Sequence, residues 1–216
     1  MFNFLQQPCP RVLETLFVLL FCAPCLAGRP MAVDDANVDD VGTGHVETWY
    51  ARQSGNSHNV TVAPGYGLAD GIEIDAALSR ADGAQVKSAV QAKFLFTESN
   101  KAGCNLAGVI GLGHGEEGNS PYLNGIVTCN MTDGAAHFNL GAQHPAAGGT
   151  LRTWGVSYEH EFGAATGHVE YFGQQQDKPT AQFGLRSEVA KNIQLDGTLG
   201  RSAGETLYSL GMKFMF

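Results

Sequence analysis

Residues 205–216 read ETLYSLGMKFMF, and the fold turns on how they are paired off. Taking every second position, Thr206, Tyr208, Leu210, Met212, Phe214 and Phe216 form one set. Leu207, Ser209, Gly211, Lys213 and Met215 form the other. The first is largely apolar; the second carries a full charge. Period 2 is the signature of a strand whose two faces meet different surroundings.

Working back along the chain, the same texture recurs. Alternating runs fall at roughly 44–52, 58–67, 71–80, 85–97, 105–113, 121–131, 135–142, 150–162, 166–174, 180–188, 192–200 and 205–216, separated by turn-forming clusters. In GIEIDAALS (71–79), Ile72, Ile74, Ala76 and Leu78 oppose Glu73, Asp75, Ala77 and Ser79. In AQVKSAVQAKFLF (84–96), Val86, Val90, Ala92, Phe94 and Phe96 oppose Lys87, Gln91 and Lys93. In RTWGVSYEHEF (152–162), Trp154, Val156, Tyr158 and Phe162 oppose Glu159 and Glu161. The 28 glycines and the scarcity of helix-forming runs agree with an all-β chain of about twelve strands.

Two barrels have this texture. A soluble lipocalin-type barrel would turn the apolar set inward. A membrane barrel turns it outward to lipid and keeps a polar interior. The connections favour the second. LADG, TDGA, FGAA and VAKN are short and fall at one rim. SGNSH, GHGEEGNSP, QHPAAGGT, QQQDKP and RSAGE are mostly longer and fall at the other, with TESNKAGCN as a long link on the short side. Short periplasmic turns and longer external loops are the asymmetry of an outer-membrane barrel. Ser54–Ser57 and Gly113–Ser120 are then external loops, and Ala69–Gly71 a periplasmic turn. Aromatic residues near run ends, among them Trp49, Tyr50, Tyr66, Trp154 and Tyr171, suit interfacial girdles.

The N-terminus has the layout of an export signal. Arg11 precedes an apolar run from Leu16 to Cys22, and Cys25-Leu26-Ala27 offers a small-residue cleavage site. The expected organisation is a signal peptide at 1–27, an irregular arm at 28–43 and a barrel at 44–216. Charges within 1–27 cancel, so the mature chain keeps the net charge of −8. That acidity, with few Lys/Arg clusters, argues against nucleic acid as a partner. Cys104 and Cys129 remain, and neighbouring strands bring them within reach of a disulfide in an oxidising compartment.

Several motifs invite chemistry and lack its context. GHGEEG (113–118) matches GxGxxG, but a new strand follows where a helix is needed. Ser157 and His160 share a run but have opposite parity, and no GxSxG occurs, so no catalytic residues are assigned. Asp34, Asp35, Asp39 and Asp40 lack calcium-loop spacing and read as a solvated or lumen-inserted arm. His137, Glu159, His168 and Glu170 share an inner face and could ligate a divalent ion, although no ligand spacing calls for one. No metal or cofactor is expected.

Inward charges are the most informative set. Placing the turn between strands three and four near Asp82–Gly83 sets Glu73 opposite Lys93 and Asp75 opposite Gln91. Glu161 and Arg186 share an inner face further round, followed by Asp196 and Lys213. The expected lumenal network is Glu73, Asp75, Lys87, Lys93, Glu159, Glu161, His168, Glu170, Arg186, Asp196 and Lys213. Such an interior is either a plug of paired charges or a narrow pore.

Two resemblances add to this. A terminal strand ending in phenylalanine resembles the assembly signal of bacterial outer-membrane barrels, which implies that Phe216 is read by the barrel-assembly machinery. The stretch containing Arg29, Pro30, Asp34, Asp35, Ala36 and Gly44, followed by Tyr66, Gly67, Leu68 and Asp70, resembles a family of outer-membrane barrels described as transporters or meta-pathway phenol-degradation proteins. That resemblance implies the outer membrane of a Gram-negative bacterium, a lipid surround and passive passage of a small solute. A closed structural or adhesive barrel is the alternative, and a membrane-embedded lipid-modifying enzyme a more remote one.

Overall fold

The computed structural model describes residues 31–54, 57–81, 83–98 and 102–216. The expected signal peptide lies outside the described residues, as do Arg29 and Pro30.

Twelve strands form, in the places that alternation marks: β1 (Gly44–Gln53), β2 (Ser57–Ala69), β3 (Ile72–Ala81), β4 (Val86–Leu95), β5 (Gly103–Gly115), β6 (Gly118–Met131), β7 (Gly134–Gln143), β8 (Leu151–Phe162), β9 (Ala165–Gln174), β10 (Thr180–Ala190), β11 (Ile193–Ser202) and β12 (Glu205–Met215). Each pairs antiparallel with its sequence neighbours, and β12 returns to β1, so the sheet closes into a barrel with no free edge. The closure is tied at its end by two backbone hydrogen bonds. Gly44 N–H donates to Phe216 O at 2.9 Å, and Phe216 N–H donates to Gly44 O at 2.8 Å.

The faces settle the choice between the two barrels. In β12, Leu210 is 65% exposed and Ser209 only 5%. Val90, Leu140, Phe183 and Phe214 face outward likewise, whereas the buried residues include Thr128, His137, Asn105 and Asp196. Apolar outside and polar inside is unworkable in water, where so large an apolar surface would aggregate. It is the arrangement a closed sheet needs in hydrocarbon. The soluble lipocalin-type alternative is excluded on this ground.

Two of the expected long connections are short. β5 and β6 extend toward each other, leaving only Glu116–Glu117 between them, with Gly118 at φ 115° completing the turn. RSAGE contracts to Ala203–Gly204, both at positive φ, as a two-residue hairpin turn requires. Polar composition had disguised strand as loop. The long connections on that rim are His144–Thr150 and Gln175–Pro179. We call it the far rim, and the one carrying Gly44 and Phe216 the terminal rim.

Cys104 and Cys129 are directly opposite in the β5–β6 ladder and disulfide-bonded, with Cα atoms 3.9 Å apart. They share the parity of the outward-facing Leu106 and Leu123, so the bridge lies on the outer wall beside the terminal rim.

Candidate functional site

The described part of the N-terminal arm, residues 31–43, does not lie in solvent. It runs inside the barrel, where Met31, Val33, Asp34 and Ala36 are all at most 3% exposed. An irregular segment can be buried only if its backbone groups find partners, and here the wall supplies them. Glu170 Oε2 accepts from the N–H groups of Ala32 (2.6 Å) and Val33 (2.8 Å). Asn139 accepts from Asp34 N–H at 2.8 Å and donates to Asp34 O at 2.8 Å. Thr128 Oγ1 accepts from Ala36 N–H at 2.8 Å, and Glu73 Oε2 from Asp39 N–H at 2.6 Å. Toward the rim the arm pairs with β2: Gly42 N–H donates to Gly67 O, and Gly67 N–H to Thr43 O, both at 3.0 Å.

Missing side chains make room for it. A Cβ at Gly67 would collide with the carbonyl oxygens of Asp39 and Asp40, and one at Gly155 would stand 2.8 Å from Val33 Cγ2. Ala36 packs with Ala107, Val109 and Ile126 in a small apolar cluster. The arm and the wall are shaped to each other.

Charge pairing follows the arm. Glu73 is opposite Lys93 and Asp75 opposite Gln91, in the expected register. Yet Lys93 Nζ reaches Asp34 Oδ1 at 3.0 Å, with Asp35 Oδ1 at 3.9 Å, while Glu73 caps the arm backbone. Gln91 Nε2 donates to Asp75 Oδ2 at 3.0 Å. Arg186 pairs with Glu159 at 2.7 Å, His168 with Glu170 at 3.3 Å, and Lys213 with Glu47 at 3.1 Å. Asp196 is buried on β11 opposite Arg186.

Two expected members stand apart. Lys87 and Glu161 have inward parity but are exposed at opposite rims, because each lies within two residues of its strand's end. His45 and Glu47 were not expected. They sit on the inner face of β1, a parity GHVETWY already displays, with Val46 and Thr48 on the other face.

On the arm, off the spanning strands, three carboxyls are perturbed. Burial pushes Asp34 up to about 7, and Lys93 pulls it back only in part. Burial also acts on Asp35, but Lys93 and His137 outweigh it and leave the group below its ordinary value. Asp39 is lowered too, burial being overcome by the hydrogen bond from His45 and by nearby positive charge.

The quartet His137, Glu159, His168 and Glu170 resolves into contacts with wall residues and, through Glu170, with the arm. His137 Nδ1 meets Thr128 Oγ1 at 2.9 Å, and its Nε2 lies 3.7 Å from Glu159. A tighter gathering is Asp39, His45 and Glu73, whose ligand atoms lie within 4.8 Å of one another. Those atoms are already engaged: His45 Nδ1 with Asp39 Oδ2 at 2.8 Å, and Glu73 Oε2 with the Asp39 N–H. Beside them, between arm and wall, is a cavity of about 100 Å³ bordered by Asp35, Asp39, Glu47, Asp75, Lys93 and Lys213. Ser157 faces the lumen and His160 lies outside, stacked on Tyr158 and edge-on to Phe162, so that pair does not meet.

A family model described as "Uncharacterised conserved protein UCP029691" matches residues 15–207. The chain belongs to that family. Among curated proteins nothing matches it significantly. Solved structures share the architecture. A KdgM porin superposes with a TM-score of 0.68 at 16% identity, over 80% of this chain and 99% of that one. The NanC porin gives 0.65 at 9% identity, over 78% and 98%. The outer membrane protein Omp33 of Acinetobacter baumannii gives 0.61 at 8% identity, over 81% and 98%. At these identities the likeness is one of fold: this chain shares the barrel architecture of those solved structures.

Proposed function

We propose that this family member is an outer-membrane barrel through which a small solute crosses passively, with the N-terminal arm as a constriction in the pathway. The observation carrying this is a polar lumen, with a cavity beside the arm, inside a barrel whose exterior is apolar. A barrel serving only as an anchor has no need of so many buried polar side chains, each of which costs free energy to desolvate.

The architectural likeness to the KdgM and NanC porins supports this role. One KdgM structure is of a complex with disordered oligogalacturonate, so passage of small saccharides through this architecture is a reasonable model for the solute's size. The resemblance of the arm and of Tyr66, Gly67, Leu68 and Asp70 to the meta-pathway phenol-degradation group points to the same class of role. Lipid surrounds the barrel, the terminal rim faces the periplasm, and the assembly machinery receives the β12 end. No step of this function involves catalysis.

The test is swelling of liposomes containing the refolded protein in uncharged sugars of increasing size. Swelling that falls off with solute size supports passage. A second reading, a permanently closed structural barrel, draws on the arm's deep burial; absence of swelling with every solute would favour it.

A further inference from the structure

We infer that the lumen selects cations over anions, so that its solutes are small cations or protonated amines, not acidic saccharides. The inference rests on the passage reading above and adds the sign of the solute.

The lumenal charge is unbalanced. Among the described residues, the buried carboxyl groups are those of Asp34, Glu47, Glu73, Asp75, Glu170 and Asp196, and the buried ammonium is that of Lys93. The partly buried groups do not restore the balance. Lys213 and Arg186 face Glu47 and Glu159, while Asp35 and Asp39 add further negative charge from the arm. The buried imidazoles are His45, His137 and His168. Even with all three protonated, carboxylates outnumber the cationic groups. Lys87 and Glu161, at opposite rims, offset each other.

The surplus also has a position. His45, Glu47, Glu73, Asp75 and Lys93 occupy the terminal half of β1, β3 and β4, and Asp35 and Asp39 enter the same half from the arm. These groups border the cavity, so a permeating ion must pass them at close range. Low-dielectric walls focus the field of such a group along the axis, and potentials of several kT bias entry by sign. Rings of Asp and Glu are how cation channels reject anions. An anionic uronate would meet more carboxyl groups than the ammonium groups of Lys93 and Lys213 in this half.

The experiment is the reversal potential of the full-length refolded protein in a planar bilayer under a KCl gradient. Potassium should be preferred over chloride on the order of tenfold. The variant Glu73→Gln/Asp75→Asn keeps an acceptor oxygen at each site and should bring the ratio toward unity. Liposome swelling in an arginine salt against a galacturonate salt needs no variant, and should be faster with the cationic solute. Current with no preference, or with a preference for chloride, would overturn the inference and leave passage intact. An unchanged ratio in a folded Glu73→Gln/Asp75→Asn variant would overturn it as well. No current and no swelling would overturn passage and selectivity together.

Discussion

Lys93 Nζ sits 3.0 Å from Asp34 Oδ1, a residue 59 positions earlier, although Glu73 is its partner across the β3–β4 ladder. The lysine therefore holds the arm to the wall. Both side chains are almost fully buried, and removing one partner of a buried pair leaves an uncompensated charge at a cost of about 3–5 kcal/mol. Lys93→Ala should destabilise the barrel by about that much in urea unfolding from detergent. The Asp34→Ala/Lys93→Ala double variant should recover part of the loss, with a coupling larger than for Glu73→Ala/Lys93→Ala. Equal coupling of the two pairs would place the arm elsewhere.

Gly67 offers a way to dislodge the arm without touching a charge. Its missing side chain is where the backbone of Asp39 and Asp40 crosses. Gly67→Val should leave the twelve-stranded barrel folded and expose a cysteine introduced at Ala36, which is fully buried in the native arrangement. Labelling of that cysteine by a maleimide should quicken by at least an order of magnitude or so, as expected when a buried site gains access through local opening. Unchanged labelling would mean that the arm does not depend on this crossing.

The arm's docking should depend on pH from both sides. Asp34, facing Lys93, Asp35 and Glu73, is raised to about 7. A group raised on docking contributes fully below its free value and loses that contribution as pH climbs through the docked one. Asp39, facing His45, Lys213 and Lys93, is lowered, as is Asp35. Their contributions are present above the free carboxylate value, about 3.9, and vanish as pH falls through the docked values. Docking is then strongest at roughly pH 4 and weakens steadily as pH climbs toward about 7. Conductance should be lowest at that optimum and rise on both sides; a monotonic profile would contradict the assignment.

Phe216 has a structural role in the seam and, in the function proposed above, a second one in assembly. Its backbone completes the β1–β12 seam through both hydrogen bonds to Gly44. Deleting it should lower outer-membrane levels, as recognition of the terminal strand requires. It should also shift unfolding in detergent by about 1–3 kcal/mol, the net worth of two backbone hydrogen bonds at about 0.5–1.5 kcal/mol each. Wild-type membrane levels would remove the recognition role, and unchanged unfolding the closing one.

Much of this was legible in the sequence because a barrel repeats one rule. Alternation in GIEIDAALS and ETLYSLGMKFMF states which face each residue takes, and counting from a turn near residue 83 gives the β3–β4 register. The Cys104–Cys129 pair follows from adjacency of β5 and β6. The arm was less legible, since a segment without periodicity has no internal signal of where it docks. Its Asp34 and Ala36 acquire meaning only through Lys93, Thr128 and Ile126 on distant strands. Alternation alone does not set Gly67 and Gly155 apart from other strand glycines; the arm that crosses them does. Loop lengths misled at Gly113–Ser120 because polar residues serve equally in a turn and on a strand that extends beyond the membrane.

Single-channel conductance of the full-length protein, compared with a variant lacking residues 31–41, tests passage and constriction together. The full-length barrel should show small, discrete openings, and the deletion a severalfold larger conductance through the same twelve-stranded wall. Silence from both proteins, with the barrel fold verified in each, would contradict a solute pathway through this lumen.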